Sequence, residues 1–419
     1  MTFLQEEFND QIPENMIRLF FVMNFFLSFF ACSGGQNINE SQNSKNQNTL
    51  KISDSIVCGA EQPEIYLNKI KAKRVGLVVN QSSLVKEKHL VDFLIENKIN
   101  VVKIFALEHG FRGNIDRGNH ISNEKDERTG LPIVSLFGKN RKPTEAQLAD
   151  LDIVIFDIQD AGARFFTYIS SLHELMEACA ANSKKLLILD RPNPLGDYVD
   201  GPVRQAKFKS FIGKHAIPIV HGLTVAELAL MVNGEKWLEN GKICNLEIVK
   251  VKNYKHSDKY ILPVKPSPNL PNHLSVRLYP SLCFFEGTII SIGRGTEFPF
   301  QLIGYPDAKL GDSLFIPEDK PGMQMDPEHE GKVCYGLDLR KLNPDSIRFT
   351  LKYLIDFYQK FPEKEKFFNR PEWINLLAGN DLLLKQIMAG LSEEEIKASW
   401  KEELDKYKEM RKKYLIYPE

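Results

Sequence analysis

Four short runs rich in Val, Ile and Leu recur in the first half of this 419-residue chain, and segments with helical periodicity separate them. The runs begin at Val75, Val101, Ile153 and Leu186. A run that is apolar at every position is typical of a parallel strand buried on both faces, and strands that alternate with helices form βαβ units. The pattern therefore predicts an α/β fold with a doubly wound, mainly parallel sheet.

The length of the chain indicates two domains, since one hydrophobic core rarely serves more than about 300 residues. The segment Thr224–Glu227 has the form of a capping box, which favours a structural role for Glu227 over a catalytic one. We place the domain boundary after the helix that this box opens, with residues 59–240 in the first domain and 241–419 in the second. A strand-like segment from Leu246 to Val251 is expected to open the second domain.

Charge and motif content exclude several classes of partner. The 54 basic and 55 acidic residues leave a net charge of -1, and no basic run is present, so nucleic acid is not an expected partner. The six cysteines include no C-x-x-C pair, which argues against a zinc site. Neither a G-x-G-x-x-G motif nor a Walker loop occurs, so no nucleotide cofactor and no metal is expected.

The N-terminal segment has the features of an export signal. Residues 19–31 form an apolar run that follows Arg18 and ends at Ala31-Cys32, which resembles a bacterial lipobox. We expect residues 1–32 to contain the signal peptide and Cys32 to carry the lipid. The alternative is a buried hydrophobic helix at the start of a domain.

The residues around this signal support the same interpretation. The fifteen residues before Met16 contain no Lys or Arg, so translation is expected to start at Met16. Residues 33–58 begin with a polar Asn/Gln/Ser tract that suits a flexible tether. The expected product is an exported lipoprotein, periplasmic or anchored to the outer membrane, that contacts the membrane through its lipid alone.

Polar residues follow each predicted strand, where the sheet would form a ligand crevice at its carboxyl edge. The densest cluster is Glu108-His109-Gly110-Phe111-Arg112-Gly113. A glutamate beside Phe105 and Phe111 would lose solvent, and a desolvated carboxyl stays protonated near neutrality, as a general acid must. The alternative at this point is that Arg112 neutralises Glu108 as an ion pair within the loop.

Two further clusters combine polar and aromatic side chains, a mixture that suits a sugar site. The first runs from Asp157 to Tyr168; its Phe165 and Phe166 are expected in the core, while the Tyr168 hydroxyl is expected to face a ligand. The second includes Asn269, Glu286 and Arg294, and glycines flank Arg294 so that it can approach a bound anion closely. The alternative for Arg294 is a tight hairpin turn at the domain interface.

These clusters, in this order, resemble the exo-β-N-acetylmuramidase family of bacterial peptidoglycan recycling, long catalogued as a domain of unknown function. The family-like stretches are Gly76–Gln81, Glu108–Gly113, Thr129–Pro132, Phe156–Asp160, Asp190–Pro194, Ser267–Asn269, Phe285–Thr288 and Arg411–Tyr417. The resemblance implies a Rossmann-like first domain and a smaller mixed α/β second domain. It also implies removal of terminal N-acetylmuramic acid from glycan fragments without a nucleotide or a metal, with Glu108 at the position of the family's catalytic acid. At Ala161, Ala163 and Phe166 the sequence departs from residues that are common in the family. These departures bear on the details of substrate preference more than on the type of reaction.

The predicted site follows from these clusters and the resemblance. The predicted catalytic residues are Glu108, His109, Asp160 and Glu286. The predicted substrate-binding residues are Asn80, Arg112, Asp157, Gln159, Arg164, Tyr168, Asn193, Asn269 and Arg294. The lactyl carboxylate that distinguishes muramic acid from glucosamine is expected to pair with Arg112, Arg164 or Arg294, Arg294 being the first choice.

Two questions stay open at the level of sequence. The nucleophile is either the substrate's own acetamido group, or water activated by Asp160 or Glu286 with inversion. The competing function classes are a lipoprotein that binds muropeptides or sugars without cleaving them, and an envelope protein that interacts through its C-terminal helices. Peptidoglycan-derived glycan fragments are the expected partners of the hydrolase and of the binding lipoprotein.

Overall fold

The computed structural model describes residues 55–108, 110–112, 125–138 and 140–419. The predicted signal segment with Met16 and Cys32, most of the predicted tether, and His109 lie outside the described residues. None of the described helices combines the length and the apolar character that a bilayer span requires.

The described strands and helices alternate through the first half of the chain, and helices dominate the end. The strands are β1 (Val75–Val79), β2 (Leu84–Val85), β3 (Lys88–His89), β4 (Val101–Ala106), β5 (Ile133–Ser135), β6 (Ile153–Asp157), β7 (Lys185–Leu189), β8 (Asn245–Val249), β9 (Leu302–Tyr305), β10 (Ser313–Phe315) and β11 (Cys334–Asp338). The helices are α1 (Pro63–Ile70), α2 (Leu90–Glu96), α3 (Glu145–Leu148), α4 (Tyr168–Ala181), α5 (Val225–Gly234), α6 (His273–Leu282), α7 (Lys352–Lys360), α8 (Lys364–Phe367), α9 (Pro371–Ala378), α10 (Leu382–Met388), α11 (Glu393–Ala398) and α12 (Lys401–Lys412).

Six of these strands form a parallel sheet in the order β5-β4-β1-β6-β7-β8. Numbered along the chain within the sheet, the order is 3-2-1-4-5-6, which is the Rossmann-type doubly wound order. The strand order reverses between β1 and β6, so the polar residues that follow these two strands lie at the topological switch point. The predicted α/β fold with a doubly wound parallel sheet is confirmed.

Alternate residues of the central strands enter two different hydrophobic clusters. Leu77 and Ile155 pack with residues of α1 and α2 on one face, while Val78 and Phe156 pack with residues of α4 and α5 on the other. Because both faces are covered, every position of these strands is buried, and this explains the unbroken apolar runs.

The parallel sheet continues past Gly241. The segment that was expected to open the second domain contains β8, which instead pairs in parallel with β7 at the edge of the first sheet. The residues of a single short strand do not indicate which sheet the strand joins. The segment was assigned to the second domain because of its position in the sequence, and that assignment is wrong. The three-residue β5 at the opposite edge was also absent from the predicted strands.

The second half contains a three-stranded antiparallel sheet in the order β10-β11-β9, followed by α7 to α12. Most of its buried apolar side chains, including Phe284, Ile303 and Tyr407, belong to the same hydrophobic cluster as those of α4 and α5. The second half therefore packs on one face of the parallel sheet through a continuous core.

A buried polar network holds the C-terminal segment against this core. Glu227 closes the predicted capping box with Thr224, and its other oxygen accepts the Ile416 N–H at 2.9 Å. The Tyr417 hydroxyl donates to Asp190, which directly follows β7, at 2.6 Å. The structural role expected for Glu227 is confirmed.

Candidate active site

A cavity of about 240 Å³ lies among residues that follow β4, residues that begin α4, and residues of the second half. Five of the predicted site residues line it: Glu108, Tyr168, Asn269, Glu286 and Arg294. The other lining residues are Phe137, Arg141, Phe165, Phe166, Thr167, Phe211, Ile212, Ser267, Leu270, Tyr279, Cys283, Phe300, Trp373 and Leu377.

Glu108 directly follows β4 and has a half-buried side chain. The hydroxyl of Tyr168, the first residue of α4, donates to the main-chain carbonyl of Glu108 at 3.3 Å. Burial raises the pKa of Tyr168 far above its ordinary value, so this hydroxyl stays a donor at any working pH. Tyr168 thus fixes the backbone from which Glu108 projects.

The interpretation of Arg112 as the ion-pair partner of Glu108 is wrong. Arg112 makes a bidentate pair with Asp126, with hydrogen bonds of 3.1 and 2.9 Å, and lies 4.5 Å over the Phe111 ring. Burial works to raise the pKa of Asp126, but hydrogen bonds from Arg112 and Thr129 outweigh it and leave that pKa below its usual value. Within the described part of the chain, no hydrogen bond or ion pair engages the Glu108 carboxylate.

The second carboxylate of the cavity, Glu286, is paired with Arg294. Glu286 lies in the short 3₁₀ helix Cys283–Gly287, and its Oε1 accepts from Arg294 at 2.6 Å. Arg294 stands between Gly293 and Gly295, whose φ angles are 73° and 79°. A Cβ at either glycine would lie within 2.8 Å of a backbone oxygen, so this turn requires glycine on both sides. Arg294 therefore lies in the predicted tight turn, and the same turn places it in the lining of the cavity.

Aromatic rings in edge-to-face contact form one wall of the cavity. The centre of this wall is Tyr279, whose ring lies 5.2 Å from Phe165, 6.1 Å from Phe166 and 5.1 Å from Phe300. The ring of Phe166 in turn lies 4.9 Å from that of Tyr168. Phe165 and Phe166 are buried, as expected of core residues, and both line the cavity. Such a surface can cover the apolar face of a sugar ring.

Two polar groups in the wall have unused hydrogen-bonding capacity. The Asn269 amide donates to the Met323 carbonyl at 2.9 Å, but its buried Oδ1 accepts no hydrogen bond. The indole Nε1 of Trp373 is likewise a buried donor without an acceptor in the described structure. Trp373 also lines a second cavity of about 400 Å³, which adjoins the first across the Glu286–Arg294 pair. Buried polar groups without a partner are uncommon, and these two belong to residues that line the first cavity.

Trp373, Arg141 and Phe211 were absent from the predicted site. Trp373 comes from α9, more than 250 residues beyond Glu108 in sequence, and no local motif surrounds it. The Arg141 guanidinium stacks on the Phe211 ring at 4.0 Å. The two residues lie in different loops, and the sequence of neither loop predicts the contact.

The residues that follow β1 and β6 do gather at the switch point, but they bond to one another instead of lining the cavity. Asp157 is fully buried and accepts two hydrogen bonds from Arg191, at 2.6 and 2.9 Å. Burial raises the pKa of Asp157, while the Arg191 charge works against that rise. Gln159 donates to two main-chain carbonyls, and its own N–H donates to Ser82. Neither Asp157 nor Gln159 is available to a ligand in the cavity.

Asn80 and Asp160 also lie away from the cavity lining. The Asn80 Oδ1 accepts from the N–H and the hydroxyl of Ser82, and its side chain lies beside the Tyr168 hydroxyl. Asp160 is buried in the turn after β6, where it accepts from the Gly162 N–H at 2.7 Å and lies 3.4 Å from His221. A buried turn carboxylate in this position does not meet the requirement for a base that activates water in the cavity.

Arg164 and Asn193 brace the backbone instead of lining the cavity. Arg164 is fully buried and donates to the carbonyls of Pro202, Ile217 and Leu377 at 2.7–2.8 Å. Burial lowers the pKa of Arg164 to about 9. Asn193 donates to the Leu223 carbonyl and accepts from the Leu195 N–H. The prediction that Arg164 meets a substrate carboxylate is therefore not supported by its position.

Comparisons with known proteins identify the family of the chain. The family model described as "Exo-beta-N-acetylmuramidase NamZ, N-terminal" matches residues 75–274, and its C-terminal counterpart matches residues 277–417. The chain belongs to the NamZ family. A peptidoglycan beta-N-acetylmuramidase NamZ from Bacillus subtilis (strain 168) is 36% identical over 397 residues, which cover 90% of this chain and 94% of that protein.

Two solved structures of DUF1343 family proteins from Bacteroides fragilis NCTC 9343 share the fold. The first has 46% identity and a TM-score of 0.81, covering 87% of this chain and 99% of that chain. The second has 30% identity and a TM-score of 0.76, covering 86% and 99%.

The two NamZ models meet within α6, and the cavity draws residues from both matched regions. Glu108, Tyr168 and Asn269 belong to the N-terminal match, while Glu286, Arg294 and Trp373 belong to the C-terminal match. Among the residues that the structure describes, no three His, Cys, Asp or Glu side chains converge as a metal site would require.

Proposed function

We propose that this chain is a glycoside hydrolase that removes terminal N-acetylmuramic acid from peptidoglycan fragments, with Glu108 as the general acid. The Bacillus subtilis relative is named as a peptidoglycan beta-N-acetylmuramidase, which supports the reaction class and the substrate. One observation carries the role of Glu108. Of the two carboxylates that line the described cavity, Glu286 is paired with Arg294, whereas no described residue pairs with Glu108.

A general acid must reach the leaving oxygen and must carry a proton when the bond breaks. The position of Glu108 at the end of a buried strand, with its backbone held by Tyr168, limits the directions in which the carboxyl can point. The half-buried Glu108 side chain shares the cavity with the aromatic wall around Phe166. Proton donation from such a group typically contributes about 10²–10⁴-fold to the rate.

The choice of nucleophile follows from the carboxylates that the described residues bring to the cavity. Asp157 is bonded to Arg191 and Asp160 within its own turn, so Glu286 is the second carboxylate of the described lining, and Arg294 already compensates its charge. Some enzymes that act on 2-acetamido sugars use the substrate's own amide as the nucleophile and need only one proton-transferring carboxyl. We assign that mechanism here, with the Glu286–Arg294 pair orienting the acetamido group.

The test compares three proteins on a chromogenic β-glycoside of N-acetylmuramic acid. The parent should release the chromophore. On a muramic-acid disaccharide, whose sugar leaving group must be protonated, Glu108→Gln should lose about 10²–10⁴-fold in kcat, and Glu127→Gln, which neutralises an exposed carboxylate of the following loop, should match the parent. A parent that binds N-acetylmuramic acid without releasing the chromophore would instead support a non-catalytic binding lipoprotein.

Proton NMR of the first sugar formed tests the nucleophile. Retention at C1, together with inhibition by a thiazoline analogue, is the expected result of attack by the acetamido group. Release of the inverted anomer would contradict this assignment and make Glu286 the base that activates water.

We also propose export with lipid attachment at Cys32, on the basis of the apolar run that ends at Ala31. Mass spectrometry of protein purified from its native membrane should find an acylated N-terminal Cys32. A peptide that spans Ala31 and Cys32 without modification would contradict the proposal.

A further inference from the structure

Arg141 is the cavity cation whose charge the described residues leave uncompensated. Its guanidinium stacks on Phe211 at 4.0 Å, and both side chains line the cavity. Its Nε donates to the Gly138 carbonyl at 3.1 Å, and the described chain places no carboxylate within ion-pair distance of it. The two terminal nitrogens of this guanidinium therefore keep donors for a ligand.

The other arginines considered for anion binding are already engaged. Asp126 holds Arg112, three main-chain carbonyls hold Arg164, and Glu286 holds Arg294. A substrate carboxylate at any of these sites would have to displace an internal acceptor. At Arg141 it would add a partner to a charge that no described carboxylate compensates.

The stacking on Phe211 also orients the guanidinium. A ring covers one face of the planar group and leaves its edge open, and the edge carries the parallel N–H donors that match a carboxylate. We infer that Arg141, held by Phe211, is the carboxylate-binding subsite that recognises the lactyl group on O3 of muramic acid. This inference rests on the proposed function, because it concerns the sugar placed with its C1 at Glu108.

Binding measurements test this subsite without relying on catalysis. The ligands are free N-acetylmuramic acid and its methyl ester, which adds one methyl group and carries no negative charge. Titration calorimetry is run on the parent, on Arg141→Gln, and on Lys142→Gln. The last removes the same charge from an exposed neighbour that does not line the cavity.

The parent and Lys142→Gln should bind the acid about 10- to 100-fold more tightly than the ester, as expected for a charge-assisted bidentate contact. Arg141→Gln should lose that preference and bind both ligands as the parent binds the ester. Arg141→Lys should keep part of the preference, because it retains the charge but not the fork.

Each other outcome overturns the inference. If Arg141→Gln keeps the parent's preference for the acid, another group reads the carboxylate, and the proposed function is unaffected. If Arg141→Gln weakens acid and ester equally, Arg141 supports the cavity wall and does not recognise charge. If the parent binds neither ligand and releases no muramic acid, the proposed function fails as well.

Discussion

Asp190 gives the folded state a dependence on pH that can be calculated and measured. This carboxylate is fully buried, accepts from the Ala226 N–H at 3.0 Å, and accepts from the Tyr417 hydroxyl at 2.6 Å. Burial raises its pKa to about 6, although hydrogen bonds from Tyr417 and Ala226 pull in the opposite direction. The folded protein therefore binds a proton at Asp190 in a pH range where the unfolded chain has released it.

The sign and size of the effect follow from the two pKa values. The contribution of Asp190 to the free energy of unfolding is fully present below pH 3.8, the unfolded value, and is lost as pH rises through about 6. Because each pH unit between the two values corresponds to about 1.36 kcal/mol, the loss amounts to about 3 kcal/mol. Protonated Asp190 can still accept from Ala226 and can donate to the Tyr417 oxygen, so the neutral form fits the network.

The assay is urea unfolding of the parent and of Asp190→Asn between pH 4 and pH 7. The asparagine is neutral throughout and can accept from Ala226 and donate to the Tyr417 oxygen, so the parent should lose about 2.4 kcal/mol relative to the variant across this range. The matched control is Asp312→Asn, at an exposed aspartate, and its difference from the parent should stay constant. A constant difference for Asp190→Asn as well, or one of opposite sign, would refute the reasoning.

Three further predictions concern the switch point and the cavity. Replacing Arg191 by Met leaves the buried Asp157 without its partner, so unfolding experiments should show a loss of about 3–5 kcal/mol, most of which the double variant with Asp157→Leu should recover. Replacing Asn269 by Leu removes an unused acceptor from the cavity, so steady-state kinetics should show a KM roughly 10-fold higher with a smaller change in kcat. Replacing Tyr168 by Phe frees the backbone of Glu108, so kcat should fall roughly 10-fold while unfolding stability changes by about 1 kcal/mol; an unchanged kcat would remove Tyr168 from the positioning of the acid.

The elements that could be predicted from sequence are those whose residue types directly reflect how each side chain is buried. Strands β1 and β6 are covered on both faces, so every side chain is apolar and the run is visible without knowledge of the fold. Strand β8 lies at the edge of the sheet and is half-buried at most positions, so its residues do not reveal which sheet it joins. The same limit applies to β5, which has only three residues.

The parts of the candidate site that could be predicted are those whose role is visible in a short local segment of the sequence. Glu108 follows a strand directly, and the glycines on both sides of Arg294 indicate a turn that requires glycine. Polar residues with distant partners were misassigned, because a sequence does not show that Asp157 meets Arg191, 34 residues away. Arg141 and Trp373 were missed for the converse reason, since only the tertiary fold brings them to the cavity.

The position of the cavity relative to the sheet shows why the strand order alone does not assign the chemistry. In open α/β sheets, ligands usually bind at the switch point, which here lies beyond β1 and β6. That space is occupied by the Asp157–Arg191 pair and by Ser82, which donates a hydrogen bond to Asn80 and accepts one from Gln159. A ligand placed there would have to separate a buried ion pair, at a cost of about 3–5 kcal/mol before it gained any contact. The cavity instead lies toward the end of β4, where Glu108 projects and where the second half contributes the Glu286–Arg294 pair. The sheet acts as a rigid base for this site, so the chemistry must be argued from the cavity residues and not from the fold.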